Sequence, residues 1–252
     1  MAILQPLPTI MVAPNGARLT KADHPALPIT IAEIVATARR CHAAGADGLH
    51  AHVRDIDGKH VLDAGLYREL GGEMRRAVPE MAVQITTEAV GLYSPGEQMA
   101  VVRAVQPNMV SIAVREIAVC DAAALGAFFA ELEERGTAVQ HIIYTPDDIA
   151  LLRAMLPGVT TPQLLFVLGR YTEGQVSQPD DLDPFLAALA ATGWQADWAV
   201  CAFGRRETEC LAHGSKHGGK VRVGFENNCQ NADGSTAADN AERVREIAQL
   251  LR

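Results

Sequence analysis

The chain has 252 residues, of which 48% are hydrophobic and 21% charged, with a formal net charge of −8. That is globular composition: no apolar run reaches the ~18 residues needed to span a bilayer, and the acidic balance opposes a phosphate-backbone partner, so neither membrane nor nucleic acid is expected. Residues 1–6 carry no basic segment followed by an apolar one, and five cysteines without a Cys-x-x-Cys pair describe no disulfide framework, so a cytoplasmic chain with reduced thiols is expected.

In chain order, one alternation repeats eight times. Residues 9–13 form an apolar run that ends in the turn Pro14-Asn15-Gly16, as a first strand would. A helix over 31–44 follows, with Thr30 and Glu33 spaced as a capping box and Gly45 as its stop. Strands are then predicted at 48–55, 82–87, 109–114, 139–144, 163–168, 197–203 and 221–225. The helices between and after them fall at 63–78, 95–105, 121–135, 146–156 (capped by Thr145), 183–191, 205–213 and 236–251. Eight strand–helix units with short Gly or Pro breaks predict a single (β/α)8 TIM barrel domain over 1–252, with an open doubly wound sheet as the alternative. No Gly-x-Gly-x-x-Gly follows the first strand, so the dinucleotide fingerprint is absent.

Strand periodicity locates the chemistry. In Gly48-Leu49-His50-Ala51-His52-Val53-Arg54-Asp55, alternate side chains place His50, His52 and Arg54 on one face and the aliphatics on the other. Two imidazoles at i, i+2 suit one zinc ion, or else they are hydrogen-bonded core histidines. On the eighth strand the same rule turns Arg222, Gly224 and Glu226 inward. Inward charges require a partner, so Glu226 is either a third ligand to His50 and His52 or the partner of Arg222. Barrel chemistry sits at the carboxyl ends of strands, which adds Thr86, Glu88, Ser111, Tyr144 and Asn227. His213 and His217 have a His-x-x-x-His spacing, but Gly214, Gly218 and Gly219 predict a loop there.

Several runs match a known family in order and spacing. They are Ala13-Pro14-Asn15-Gly16-Ala17, Thr20-Lys21-Ala22-Asp23-His24-Pro25, His50-Ala51-His52-Val53-Arg54, Phe166-Val167-Leu168-Gly169 and Gly218-Gly219-Lys220-Val221-Arg222-Val223-Gly224-Phe225-Glu226-Asn227-Asn228. From near residue 9 to about residue 230 the sequence resembles the β-keto acid cleavage enzymes, typified by the 3-keto-5-aminohexanoate cleavage enzymes. The resemblance implies a (β/α)8 fold, one zinc per chain on His50, His52 and Glu226, and exchange of an acyl group between a β-keto acid and acetyl-CoA, which releases acetoacetate. It also implies catalytic or substrate-binding roles for Arg222, Thr86 and Ser111, and a homo-oligomer, a tetramer in the family.

The departures from the family are as informative. Asn227 stands where the family carries an aspartate general base, and amides are poor proton acceptors. Glu88 stands in a loop that is usually Ser-Thr-Gly-Gly. It either takes over proton transfer or answers Arg18 or Arg115. Arg18 replaces an acid in the first loop, which disfavours an amino-bearing substrate and favours an anionic one. Ala113 and Lys220 replace an asparagine and a histidine. Asn227 and Glu88 together keep two alternatives open: a metal-dependent lyase or hydrolase of a keto acid that uses no CoA, and a catalytically reduced carboxylate binder.

Overall fold

Short apolar runs of β-branched and aliphatic residues become strands because their alternate side chains can be buried on two different surfaces, one inside a closed sheet and one beneath helices. In the computed structural model, which describes residues 5–251, eight parallel strands do so. They are β1 (Ile10–Val12), β2 (Gly48–Ala51), β3 (Ala82–Thr86), β4 (Met109–Ala113), β5 (Ala138–Ile143), β6 (Gln163–Leu168), β7 (Asp197–Ala202) and β8 (Lys220–Val223). β1 pairs with β8 through Ile10↔Val221, Met11↔Arg222 and Val12↔Val223, and this closes the barrel and excludes the open-sheet alternative.

The helices are α1 (Ile31–Ala44), α2 (Ala64–Ala77), α3 (Pro95–Val105), α4 (Val114–Ile117), α5 (Ala122–Arg135), α6 (Asp147–Met155), α7 (Asp183–Thr192), α8 (Glu207–Lys216) and α9 (Asn240–Leu250). Thr30 and Glu33 form the expected capping box, and Gly45 ends α1 in the left-handed region at φ 119°. Outward strand residues such as Val12, Leu49, Val110, Phe166 and Val221 pack beneath the helices in the main core. Met11, Met109, Leu165, Ala199 and Cys201 fill the barrel interior below the site.

Several boundaries differ from expectation for local reasons. Val114 opens the short helix α4 rather than ending β4. Thr145 does not cap α6; its backbone N–H and that of Tyr144 donate to Asp148 Oδ2 instead, so the acid inside the first turn does the capping. Thr236 lies in an antiparallel bridge with Gln230, and Asp239 caps α9 three residues beyond it. Of the N-terminal stretch read for a leader, residues 1–4 lie outside the described residues. Among the described residues no helix is long and apolar enough to cross a membrane, and the five cysteines are unpaired thiols.

Candidate active site

The carboxyl ends of the strands surround two connected cavities. The inner one, about 20 Å³, is lined by His50, His52, Thr86, Tyr144, Arg222 and Glu226. The outer one, about 220 Å³, opens past Arg18, Glu88, Arg170, Phe203 and Asn227. The inner space is near the minimum that holds one water-sized species, and the outer one suits a small acid.

His50 and His52 converge as the strand period requires, although β2 ends at Ala51 and His52 is the next residue but one to His50 only by continued extension. Their tautomers follow from the hydrogen-bond network. Gln84, in register with His50 on β3, donates its Nε2 to Gln140 Oε1 at 2.9 Å, so its Oε1 accepts from His50 Nδ1–H at 2.7 Å. On the other side, His60 Nε2–H donates to the Glu88 carbonyl at 3.0 Å, which leaves His60 Nδ1 to accept from His52 Nδ1–H at 3.3 Å. Both Nε2 atoms are therefore bare lone pairs. They lie 3.2 Å apart, and Glu226 Oε2 stands 3.6 Å from one and 3.7 Å from the other.

Three electron-rich atoms at this spacing repel one another unless a cation lies among them. Burial holds His50 down at about 4, helped by the nearby Arg222 charge, and holds His52 well below its usual range, helped by the His60 and His50 rings. A proton is therefore a poor cation here, and neutral imidazoles are what a metal requires. Burial would raise the Glu226 carboxyl, but the Arg222 and Arg170 guanidiniums outweigh it and keep the group below the usual carboxylate range. Glu226 Oε2 has no hydrogen-bond partner. These residues fit a divalent ion with two imidazole ligands and one carboxylate.

The same cavity collects other unsatisfied groups. Among the described residues, five of the eleven buried side-chain polar atoms without partners belong to Arg222, Glu226 and Asn227, which line the two cavities and mark a place where something else can bind. Arg222 spends one nitrogen on Glu226 Oε1 and Cys201 Sγ, at 3.4 and 3.5 Å, and leaves Nε and Nη1 free. Thus the two open readings of Glu226 are not exclusive: one oxygen meets Arg222 and the other faces the histidines. Asn227 has both side-chain polar atoms free, and Thr86 Oγ1 accepts from the Glu88 N–H at 3.1 Å. Ser111 is buried within the barrel beside Thr86 and lines neither cavity.

Glu88 stands at the junction of the two cavities, 3.9 Å from His52 Nδ1 and between Arg18 at 3.7 Å and Arg170 at 3.8 Å. Burial and the charge of Glu226 push it up to about 7 against the pull of those two arginines. Arg115 is not its partner but pairs with Asp148 at 2.8 Å. Arg54 turns away from the site, and its Nη2 instead gathers the carbonyls of Asn15, Gly16 and Leu19, bracing the first loop. That loop must be close: Gly16 has φ +56°, and a Cβ there would lie 2.6 Å from Glu226 Cγ.

Sequence reasoning missed Gln84, Gln140, His60 and Arg170. Arg170 could have been found, since it follows the Phe166–Gly169 run at the carboxyl end of β6, where barrel chemistry gathers.

Solved structures and curated proteins resemble this chain at different depths. A structure titled as the binary complex of ObcA with oxaloacetate superposes with a TM-score of 0.70 at 16% identity, over 89% of this chain and 63% of that one. The chain thus spans less than two thirds of ObcA. The 3-hexulose-6-phosphate synthase of Salmonella typhimurium matches at a TM-score of 0.59, 16% identity, and 96% and 98% coverage. At these identities the likeness shows the barrel fold alone. Curated relatives include the 3-keto-5-aminohexanoate cleavage enzymes of Fusobacterium nucleatum, 29% identical over 252 residues with 96% and 90% coverage, and of Acetoanaerobium sticklandii, 28% over 254 residues with 96% and 91%. The 3-oxoadipate:acetyl-CoA acetyltransferase of Cupriavidus necator is 25% identical over 252 residues, covering 96% of this chain and 87% of its own. The family model for beta-keto acid cleavage enzymes matches residues 8–252, and the chain belongs to that family.

Proposed function

We propose that this chain is a zinc-dependent acyltransferase that exchanges an acyl group between an anionic β-keto acid and acetyl-CoA, giving acetoacetate and a new acyl-CoA. The observation that carries this reading is the convergence of two bare Nε2 atoms and an unpartnered carboxylate oxygen in a chamber of about 20 Å³. His50, His52 and Glu226 would hold one zinc per chain, which when bound supplies Lewis-acid polarisation of the β-keto and carboxylate oxygens.

The protein's own residues divide the remaining work. Arg222, with Nε and Nη1 free, holds the keto acid's carboxylate and meets negative charge that develops at the reacting carbon. Thr86 lines the chamber and orients the substrate; Ser111 supports it from one strand further on. Asn227 offers a donor and an acceptor but no base, so the proton must be handled elsewhere. Glu88 is the carboxylate, other than Glu226, that lines both cavities among the described residues, and we assign proton transfer to it.

Arg18 and Arg170 flank the mouth and suit a second carboxylate on the keto acid. The name of the Cupriavidus relative, a 3-oxoadipate acetyltransferase, supports a diacid in this role. The outer cavity of about 220 Å³ has room for such an acid but not for CoA, whose long arm would approach from outside the mouth.

The test is metal analysis of the wild type beside His50→Ala and Glu226→Ala, followed by turnover of β-keto diacids with and without acetyl-CoA. The expected result is that both variants hold one zinc per chain fewer than the wild type, with acetoacetate appearing only when acetyl-CoA is supplied. Turnover without CoA selects the lyase or hydrolase reading, and binding without turnover selects the carboxylate binder. Variants that hold as much zinc as the wild type, or a wild type that takes up none, overturn the metal reading.

A further inference from the structure

The sequence predicts a helix that stops at 213 and a glycine-rich loop beyond it. The structure instead continues α8 through Lys216, and the His217 N–H donates to the carbonyls of His213 and Gly214 at 3.3 and 3.1 Å. His213 and His217 are therefore neighbours one turn apart on a single helix face. Their ring centroids lie 4.6 Å apart. Asp183, the first residue of α7, brings its Oδ1 to 3.3 Å from His213 Nε2. One ligand atom from each of the three residues lies within 4.8 Å of the other two.

From this geometry we infer that Asp183, His213 and His217 form a second divalent metal site, open to solvent, for an ion of the zinc, nickel or copper type. Two imidazoles and a carboxylate favour such borderline ions over magnesium or calcium, which prefer all-oxygen shells. None of the three residues lines the active-site cavities. Asp183 is largely exposed and His217 is exposed, so water can complete the coordination shell.

The scaffold beneath the donors is fixed, which is what separates this cluster from a chance meeting of mobile side chains. Gly214, between the two histidines, is buried so closely against β7 that an added Cβ would lie 2.4 Å from Val200 Cγ1. The same point would lie 3.7 Å from Leu182 Cδ2, and Leu182, fully buried, immediately precedes Asp183. The backbones that carry the donors are thus locked together by core packing. A bound ion would tie the start of α7 to the end of α8.

The test is zinc titration of the full chain by competition with a chromophoric chelator, on the wild type and on the H213A/H217A, D183N and H50A/H52A variants. The wild type takes two equivalents and H213A/H217A one, with unchanged circular dichroism; D183N weakens the same equivalent. H50A/H52A retains one equivalent, and zinc raises its melting temperature. A stoichiometry and affinity in H213A/H217A equal to the wild type's overturns the inference. If the barrel site alone fails, the wild type takes one equivalent and H213A/H217A none, so the two assignments stand or fall separately. Should H50A/H52A not fold, the difference between wild type and H213A/H217A decides the matter alone.

Discussion

Replacing Gln84 by leucine tests the tautomer argument on which the metal assignment rests. Gln84 is fully buried, accepts from His50 Nδ1–H at 2.7 Å and donates to Gln140 Oε1 at 2.9 Å; Gln140 in turn donates to the Leu164 carbonyl at 3.3 Å. Leucine preserves the volume but removes both hydrogen bonds. His50 Nδ1–H and Gln140 Oε1 are then left in the barrel interior, at ~1–3 kcal/mol of stability for each unsatisfied group. The imidazole also becomes free to move its proton to Nε2, where it would block metal binding. Losing such an orienting partner typically weakens metal affinity ~10- to 100-fold, or about 1.4 to 2.7 kcal/mol. Competition with a chromophoric chelator on the H213A/H217A background reads this directly, with melting curves to show that the variant is folded. Gln140→Leu leaves the His50 contact in place and should cost less affinity. Zinc binding by Gln84→Leu within about twofold of the wild type would refute the account.

Three further perturbations separate other parts of the argument. Gly16→Ala puts a Cβ 2.6 Å from Glu226 Cγ at φ +56°, so it should lose zinc and about 1–2 kcal/mol of stability; full zinc content would show that the loop yields freely. Arg18→Glu, at an exposed position facing Glu88, should raise KM for a β-keto diacid on the order of tenfold and leave zinc content unchanged; an unaltered KM removes Arg18 from substrate selection. His141, packed beside Phe129, is held by burial at about 4, down from its ordinary 6.5. Between those values the unfolded chain takes up a proton that the folded one refuses, so stability falls as pH drops, by at most ~1.4 kcal/mol per unit. Urea unfolding at pH 7 and 4.5 should show a smaller drop in His141→Leu than in the wild type, and equal drops would contradict the assignment.

What was legible in the sequence was whatever depends on local periodicity. The alternation of His50 with Leu49 and Ala51, and of Arg222 with Val221 and Val223, fixed which side chains face inward without knowledge of the neighbouring strands. The register between strands is a non-local property, and there sequence reasoning stopped. That His50 stands beside Gln84, and that Gln84 reaches Gln140 across β4, depends on the stagger of the closed barrel. Arg54 has the same parity as the histidines, yet the strand has ended by then and the carbonyls of the first loop claim its guanidinium. Likewise Gly214 weakened the expectation of a helix, while tertiary packing against Val200 made a glycine at that place a requirement of the helix rather than its end.

The residues at positions 18, 88 and 227 make sense as one electrostatic set. The groups lining the two cavities are the guanidiniums of Arg18, Arg170 and Arg222 and the carboxylates of Glu88 and Glu226, three positive charges against two negative, around neutral imidazoles. That balance is +1, and a divalent ion on His50, His52 and Glu226 would bring it to +3. A keto acid with one carboxylate and an ammonium group adds nothing to offset this, whereas a keto diacid brings two negative charges, one for Arg222 and one for the mouth. An aspartate at 227 would have lowered the same sum, so Asn227 and Arg18 act in one direction. Glu88 restrains it from between Arg18 and Arg170, the two arginines that the second carboxylate of the proposed diacid would reach. Binding of the proposed diacid would therefore compete with Glu88 for those guanidiniums and weaken the two contacts that draw its charge toward the mouth and away from His52.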